Sequence, residues 1–200
     1  MLRKPSHGCK SDPSRLTRLE HIPAANGGPE AILNVTKFAW DRDGSPFACA
    51  TPGHTDQCPT SYMLNPTASV PCPGAARIRP PCVPIDADRL PYVAIPAAGP
   101  APIRPREFRN KTGIGWGDLG VAIANGKTVP VIVADGGPAN KIGEGSTALL
   151  QALSADGKPR TIATGVTVLL FPRSAERLTV DTLEQRVRMT HPHRVGRVDC

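Results

Sequence analysis

Asn125-Gly126 stands between two short apolar runs, Val121-Ala122-Ile123-Ala124 and Val129-Pro130-Val131-Ile132-Val133-Ala134. A two-residue hairpin turn needs positive φ at both central positions, and Asn-Gly meets that need better than almost any other pair. The chain must therefore reverse here as two antiparallel strands, and a β-rich fold follows. The second strand runs straight into Asp135. If alternation stays regular, Asp135 shares a face with Val129, Val131 and Val133.

Other segments read the same way. Ala31 to Trp40 alternates (Ile32, Asn34, Thr36, Phe38, Trp40 against Leu33, Val35, Lys37, Ala39) and ends at the turn-forming Asp41-Arg42-Asp43-Gly44. Pro91 to Pro96 is a strand bracketed by prolines, and Thr161 to Phe171 is a Thr/Val-rich strand stopped by Pro172. Ser146 suits the N-cap of a short helix, Thr147 to Leu153, with Gly157 following its end. The 23 Pro and 19 Gly, with aromatics at only 4%, argue against a helical bundle and for strands joined by many turns.

A length of 200 residues suggests a single domain. Residues 1–28 read as a mobile basic leader, 29–173 as the folded domain, and 174–200 as a tail with a helix over Ser174 to Thr190. Residues 45–88, crowded with Pro, Cys, Thr and Asp, read as long loops pinned by disulfides. The six cysteines form no Cys-x-x-Cys pair, which disfavours a zinc ribbon or a thioredoxin-type site. An even count at wide spacing favours disulfides, and with them a secreted protein. Met1 to Lys10 holds no apolar signal-peptide core, so export is inferred from the cysteines alone. No run reaches the length of a membrane span, and no membrane partner is expected.

The formal net charge of +7 raises the question of nucleic acid. The positive residues are scattered over the first twenty residues, Arg104 to Lys111 and the tail from Arg173. No helix-turn-helix, zinc finger or aromatic RNA-binding signature accompanies them, so solvated flanks explain the charge and no nucleic-acid partner is expected.

Asp135 and Glu144 flank a glycine-rich turn that includes Gly136, Gly137 and Gly143. Two carboxylates in different environments can divide acid and base roles at one pH, which is what cleavage of a glycosidic bond requires. Burial on one side would perturb Asp135, whereas a helix N-terminus beside Glu144 favours its ionised form. Each residue also has an ordinary reading as a turn or capping group.

The run Val131-Ile132-Val133-Ala134-Asp135-Gly136-Gly137-Pro138, followed by Ile142-Gly143-Glu144-Gly145-Ser146, resembles the signature of glycoside hydrolase family 75, whose members are chitosanases. Leu90 to Pro96, Gly117 to Val121 and Trp40 to Gly44 match in family order, so the resemblance spans about residues 30–173. It implies endo-hydrolysis of β-1,4-linked glucosamine with inversion, Glu144 resembling the general acid and Asp135 the base that activates water. An inverting pair stands about 6.5–9.5 Å apart across a groove that admits a sugar and a water. No metal or organic cofactor is implied, and the expected partner is chitosan bound by a monomer.

The same strand-turn-helix piece is similar to the core of double-psi β-barrels. The expected fold is thus a mainly β, small six-stranded double-psi-like barrel with one or two short helices. Asp41 and Asp43 are candidate contacts for the sugar ammonium, and Gly137 leaves room for a sugar. Tyr92, Trp40 and Trp116 are candidate sugar-contacting rings, each of which reads first as core. Chitosan is a polycation, so an acidic groove is needed, with Asp41, Asp43, Asp56, Asp86, Asp88 and Asp118 available to line it. His191 and His193 read as part of a frayed tail rather than a metal site. Two alternatives on the same barrel are a peptidoglycan-cleaving enzyme and a non-catalytic polysaccharide-binding protein.

Overall fold

A computed structural model of the chain describes residues 19–24, 29–46, 60–65, 70–72, 82–98, 105–138 and 142–175. The strands are β1 (Glu20–Ile22), β2 (Ala31–Trp40), β3 (Met63–Asn65), β4 (Val70–Cys72), β5 (Val83–Pro84), β6 (Tyr92–Ala98), β7 (Leu119–Ala124), β8 (Lys127–Pro138), β9 (Glu144–Gly145) and β10 (Ile162–Leu170). Among the described residues two helices accompany them, α1 (Pro105–Thr112) and α2 (Thr147–Leu153).

Six strands close into a barrel in the order β2-β10-β7-β8-β6-β9 and back to β2, with β1 added along β2. Closure removes the unpaired edges that an open sheet would expose. Most neighbours are antiparallel, but β6 with β8 and β2 with β9 run parallel. The separate three-stranded sheet β4-β3-β5 folds from the Pro/Cys-rich segment.

The β7–β8 hairpin turns at Asn125 (φ 51°) and Gly126 (φ 71°), the pair of positive angles that its sequence demands. β8 buries both faces. Val129, Val131 and Val133 enter a large core with Phe38, Val93, Val166, Val168, Leu149 and Leu150. Ile132 and Ala134 enter a smaller core with Tyr62, Ile85, Leu90 and Tyr92.

The N-cap of α2 ties three elements together. The hydroxyl of the buried Ser146 accepts hydrogen bonds from the Leu149 N–H (3.1 Å) and the Tyr92 N–H (3.0 Å) and donates to the Leu90 carbonyl (2.8 Å). The Ser146 N–H donates to the Tyr92 carbonyl. One small side chain thus caps the helix and locks it against the start of β6.

Several expectations need correction. Residues 20–22, placed in a mobile leader, pair with Ala31 to Leu33 as β1. Glu30 reinforces that edge, binding the His21 ring and the Arg173 guanidinium. The strand bracketed by Pro91 and Pro96 runs on to Ala98. Helix α1 was not foreseen; a single deeply buried apolar residue, Phe108, anchors it. Most of the proposed leader, and the proposed helix over Ser174 to Thr190 beyond Ala175, lie outside the described residues. Among the described residues, no helix is long and apolar enough to cross a membrane.

Ser146→Ala removes the cap of α2 and leaves the buried Tyr92 N–H without its acceptor. We expect a loss of about 3 kcal/mol, read as a fall in Tm of roughly 6–12 °C.

Candidate active site

The register of the short strand β9 brings distant carboxylates to one end of the barrel. Ala39 pairs with Glu144 and Trp40 with Gly145. The Ala39 and Asp41 N–H groups donate to the Gly143 and Gly145 carbonyls (2.7 and 2.9 Å). On the other side of β9, Gly145 pairs with Val93 of β6, and β6 pairs Ala94 with Asp135 of β8. The end of β2, the start of β9 and the later half of β8 therefore converge.

Strict alternation fails just before Asp135. Val93 pairs with Val133, but the next residue, Ala94, pairs with Asp135, so β8 carries one extra residue. Asp135 is thereby freed from the face of Val129, Val131 and Val133, contrary to the regular-strand expectation. It meets Ser61 instead. The Tyr62 N–H is held by the Ala134 carbonyl (2.8 Å), which seats Ser61 against Asp135. Asp135 Oδ1 then accepts from the Ser61 N–H (2.9 Å), the Ser61 hydroxyl (2.7 Å) and the Gly136 N–H (2.7 Å). Ser61 escaped sequence reasoning because it lies in an irregular stretch with neither periodicity nor a recognisable motif.

Carboxylate oxygens of Asp41, Asp43 and Asp135 all lie within 4.8 Å of one another. Asp135 is only 3% exposed, while Asp41 and Asp43 are partly exposed and form the solvent-reaching side of the cluster. The turn after β2 is shaped by its own side chain, since the Asp43 N–H donates to Asp41 Oδ1 (3.0 Å). Glu144 is a fourth member, near enough for its charge to act on Asp41. Two ionised groups about 5 Å apart repel by about 3 kcal/mol at an effective dielectric constant near 20. A cluster like this must share a proton or hold a positive charge between its members.

The titration behaviour follows. Burial, then the charge of Asp135, pushes the Asp41 carboxyl up to about 7, against the opposing Asp43 N–H. Burial also raises Asp135, and its hydrogen bonds from Ser61 and Gly136 work in the opposite direction.

Of the candidates, Asp135, Glu144, Asp41 and Asp43 come together. Tyr92 is a core residue, the first of its two readings, and not a sugar platform: its ring is fully buried, and its hydroxyl donates to the Asp43 carbonyl (2.9 Å), so it supports the acidic turn. Gly137 also has a different role. A Cβ there would lie 2.9 Å from Glu144 Oε2 and 3.1 Å from the Ala94 Cβ, so the missing side chain makes room for the Glu144 carboxylate rather than for a sugar directly.

The wider acidic groove is not assembled as foreseen. Asp118 is buried and binds the Gly115 and Ala175 N–H groups. Asp86 accepts from the Asp88 N–H, and Asp88 from the Ser45 hydroxyl, so both shape a turn. Asp56 lies outside the described residues. Trp40, read first as core, is instead 42% exposed beside Asp41. Its indole N–H is fixed on the Thr147 hydroxyl (2.9 Å), and the Arg42 guanidinium lies 5.3 Å from its ring centroid.

The chain matches no model of a known protein family, and no curated protein matches it.

Ser61→Ala removes a donor that favours ionised Asp135, so the Asp135 midpoint should rise. A carboxyl 13C titration of wild type and variant checks this; an unchanged midpoint would mean that the hydroxyl contributes nothing to the charge on Asp135.

Proposed function

We propose that this chain is a chitosanase-like glycoside hydrolase, cleaving β-1,4 linkages between glucosamine units with inversion. The observation that carries the reading is the meeting of Asp135 and Glu144 with Asp41 and Asp43 at one barrel end. Asp135, kept ionisable by Ser61 and Gly136, is suited to draw a proton from water. Glu144, partly exposed and seated over Gly137, is placed to protonate the leaving oxygen.

The local charge supports glucosamine as the sugar. Against a chain of net +7, this end gathers four acidic side chains, and an ammonium group offers the compensating charge that so crowded a cluster needs. The exposed Trp40 ring gives a platform beside it. The fold proposed for this chemistry is the double-psi form of the six-stranded barrel. The even number of widely spaced cysteines supports loops pinned by disulfides and an exported protein.

Arg42 over Trp40 favours a second reading. A guanidinium beside the sugar platform would suit an acid-bearing sugar, as in peptidoglycan. Reducing-end release from chitosan, chitin and peptidoglycan, measured side by side, separates the two. Binding without new ends would leave a carbohydrate-binding barrel.

Asp135→Asn and Glu144→Gln should each lower chitosan cleavage about 100-fold or more with Tm little changed. Full activity in both removes the hydrolase reading. Gly137→Ala should displace the Glu144 carboxylate, lowering turnover at least about tenfold and stability by about 1–3 kcal/mol.

A further inference from the structure

Two basic stretches of the sequence, helix α1 and the segment around Arg173, meet beside the start of β2. Between them lies a cleft of about 410 Å³, lined by His21, Glu30, Arg109, Lys111 and Arg173. Ile32, which also lines it, stands near the start of β2, and Asp41 follows the other end of that strand, roughly 30 Å away along an extended chain. The cleft and the acidic cluster thus lie at opposite ends of β2.

The local backbone makes room for the cations. Gly113 takes a positive φ (74°) just past α1, and a Cβ there would lie 3.0 Å from the Pro172 Cβ and 3.3 Å from Arg173 Nη1. Its absence lets the Arg173 guanidinium lie against the end of the helix. A Cβ at Gly115 would come within 3.2 Å of Arg109 Nε, so the second guanidinium rests over bare backbone. Glu30 fixes Arg173 (2.9 Å) and also binds the His21 ring (2.7 Å).

Three permanent cations therefore line the cleft with one carboxylate, and Arg173 already engages it. Among the described residues, no acid forms an ion pair with Arg109 or Lys111. Arg109 also feels the buried Asp118, whose oxygens take the Gly115 and Ala175 N–H groups. Basic residues in a last helical turn ordinarily answer the helix dipole. That accounts for Arg109 and Lys111 but not for Arg173, which arrives from another part of the chain. The helix end is partly satisfied by its own residues besides: the Thr112 hydroxyl and the Gly113 N–H donate to the Phe108 and Arg109 carbonyls (2.8 and 2.7 Å).

We propose that this cleft is a binding site for a phosphate group. A doubly charged phosphate balances the cations that Glu30 leaves over, whereas a single carboxylate does not. Guanidinium forks present paired donors to its oxygens, and the Lys111 ammonium adds a point charge. The cleft is larger than a bare phosphate and falls in the size range of small-molecule pockets, which leaves space for an organic group carrying the phosphate. The inference is independent of the hydrolase reading, since it uses none of the acids at the other end of β2.

The full chain is titrated with inorganic phosphate, glucose 6-phosphate and glucose at about pH 7.5, where phosphate is largely dianionic. Low ionic strength keeps exposed charges unscreened, and 15N NMR follows the Gly113 amide and the arginine side chains. Saturable binding with a Kd of about 1 mM or tighter is expected for both phosphates, and none for glucose. Tighter binding of glucose 6-phosphate assigns the site to phosphorylated small molecules, and equal binding assigns it to free phosphate; both support the site. Arg109→Ala, Lys111→Ala and Arg173→Ala remove exposed side chains and should each weaken binding at least about fivefold. Arg106→Ala, on the same helix but outside the cleft, should stay within about twofold.

No saturation below about 10 mM overturns the proposal. An equal loss in Arg106→Ala overturns it too, because it marks a general attraction to a basic chain. Arg173→Ala also releases Glu30; should that variant fail to fold, Arg109→Ala and Lys111→Ala decide, and undiminished binding in both removes the site.

Discussion

Two residues close this barrel. Glu144 and Gly145 are all that joins β2 to β6, and Ser146 immediately afterwards caps α2 and grips the backbone at Leu90 and Tyr92. The rest of the site depends on that joint, because β2 and β8 are neither neighbours in sequence nor paired in the sheet. Through β9 and β6 the turn at Asp41 reaches the end of the strand that carries Asp135. The residue that makes the joint, Glu144, is also the one whose carboxylate completes the cluster. Structure and chemistry here use the same short piece of chain.

The electrostatic consequence is a local reversal of the protein's overall sign. A basic chain concentrates acids where three of its strands meet, in surroundings that resist charge. Burial raises the carboxyls of both Asp41 and Asp135. Ser61 opposes that rise at Asp135 with two of the three donors on its Oδ1, and Tyr92 holds the acidic turn through the Asp43 carbonyl. Among the described residues, these supports come from the Pro/Cys-rich segment and from β6, so the irregular part of the chain is no mere decoration on the barrel.

Much of the barrel was legible in sequence because its strands alternate and its turns carry their own chemistry. Ala31 to Trp40, the Asn125-Gly126 reversal and the Ser146 cap with its helix stand where the residues place them. Asp135 and Glu144 could be paired from the sequence, and their meeting with Asp41 and Asp43 belongs to the fold. Helix α1 was hidden by polarity: Arg106, Glu107, Arg109, Asn110 and Lys111 surround the one anchoring ring of Phe108, which leaves no apolar period to detect. Its caps were nonetheless present, in Pro105 at the start and Gly113 at positive φ beyond the end. The strand β1 was masked by its basic surroundings. Tyr92 reads from its strand as core before it reads as a sugar platform, and packing decides for the core.

The extra residue in β8 has a consequence of its own. Valines at 129, 131 and 133 set a phase that would have delivered the next odd-numbered side chain into hydrocarbon, where a carboxylate could neither ionise nor be reached. The slip at Ala134 resets that phase by one step. A strand buried on both sides can then end in an acid without destroying its own core. What places Asp135 is thus a count of backbone atoms rather than the identity of any neighbour, so lengthening or shortening the strand by one residue would take this carboxylate out of the cluster while leaving every acidic side chain in the sequence.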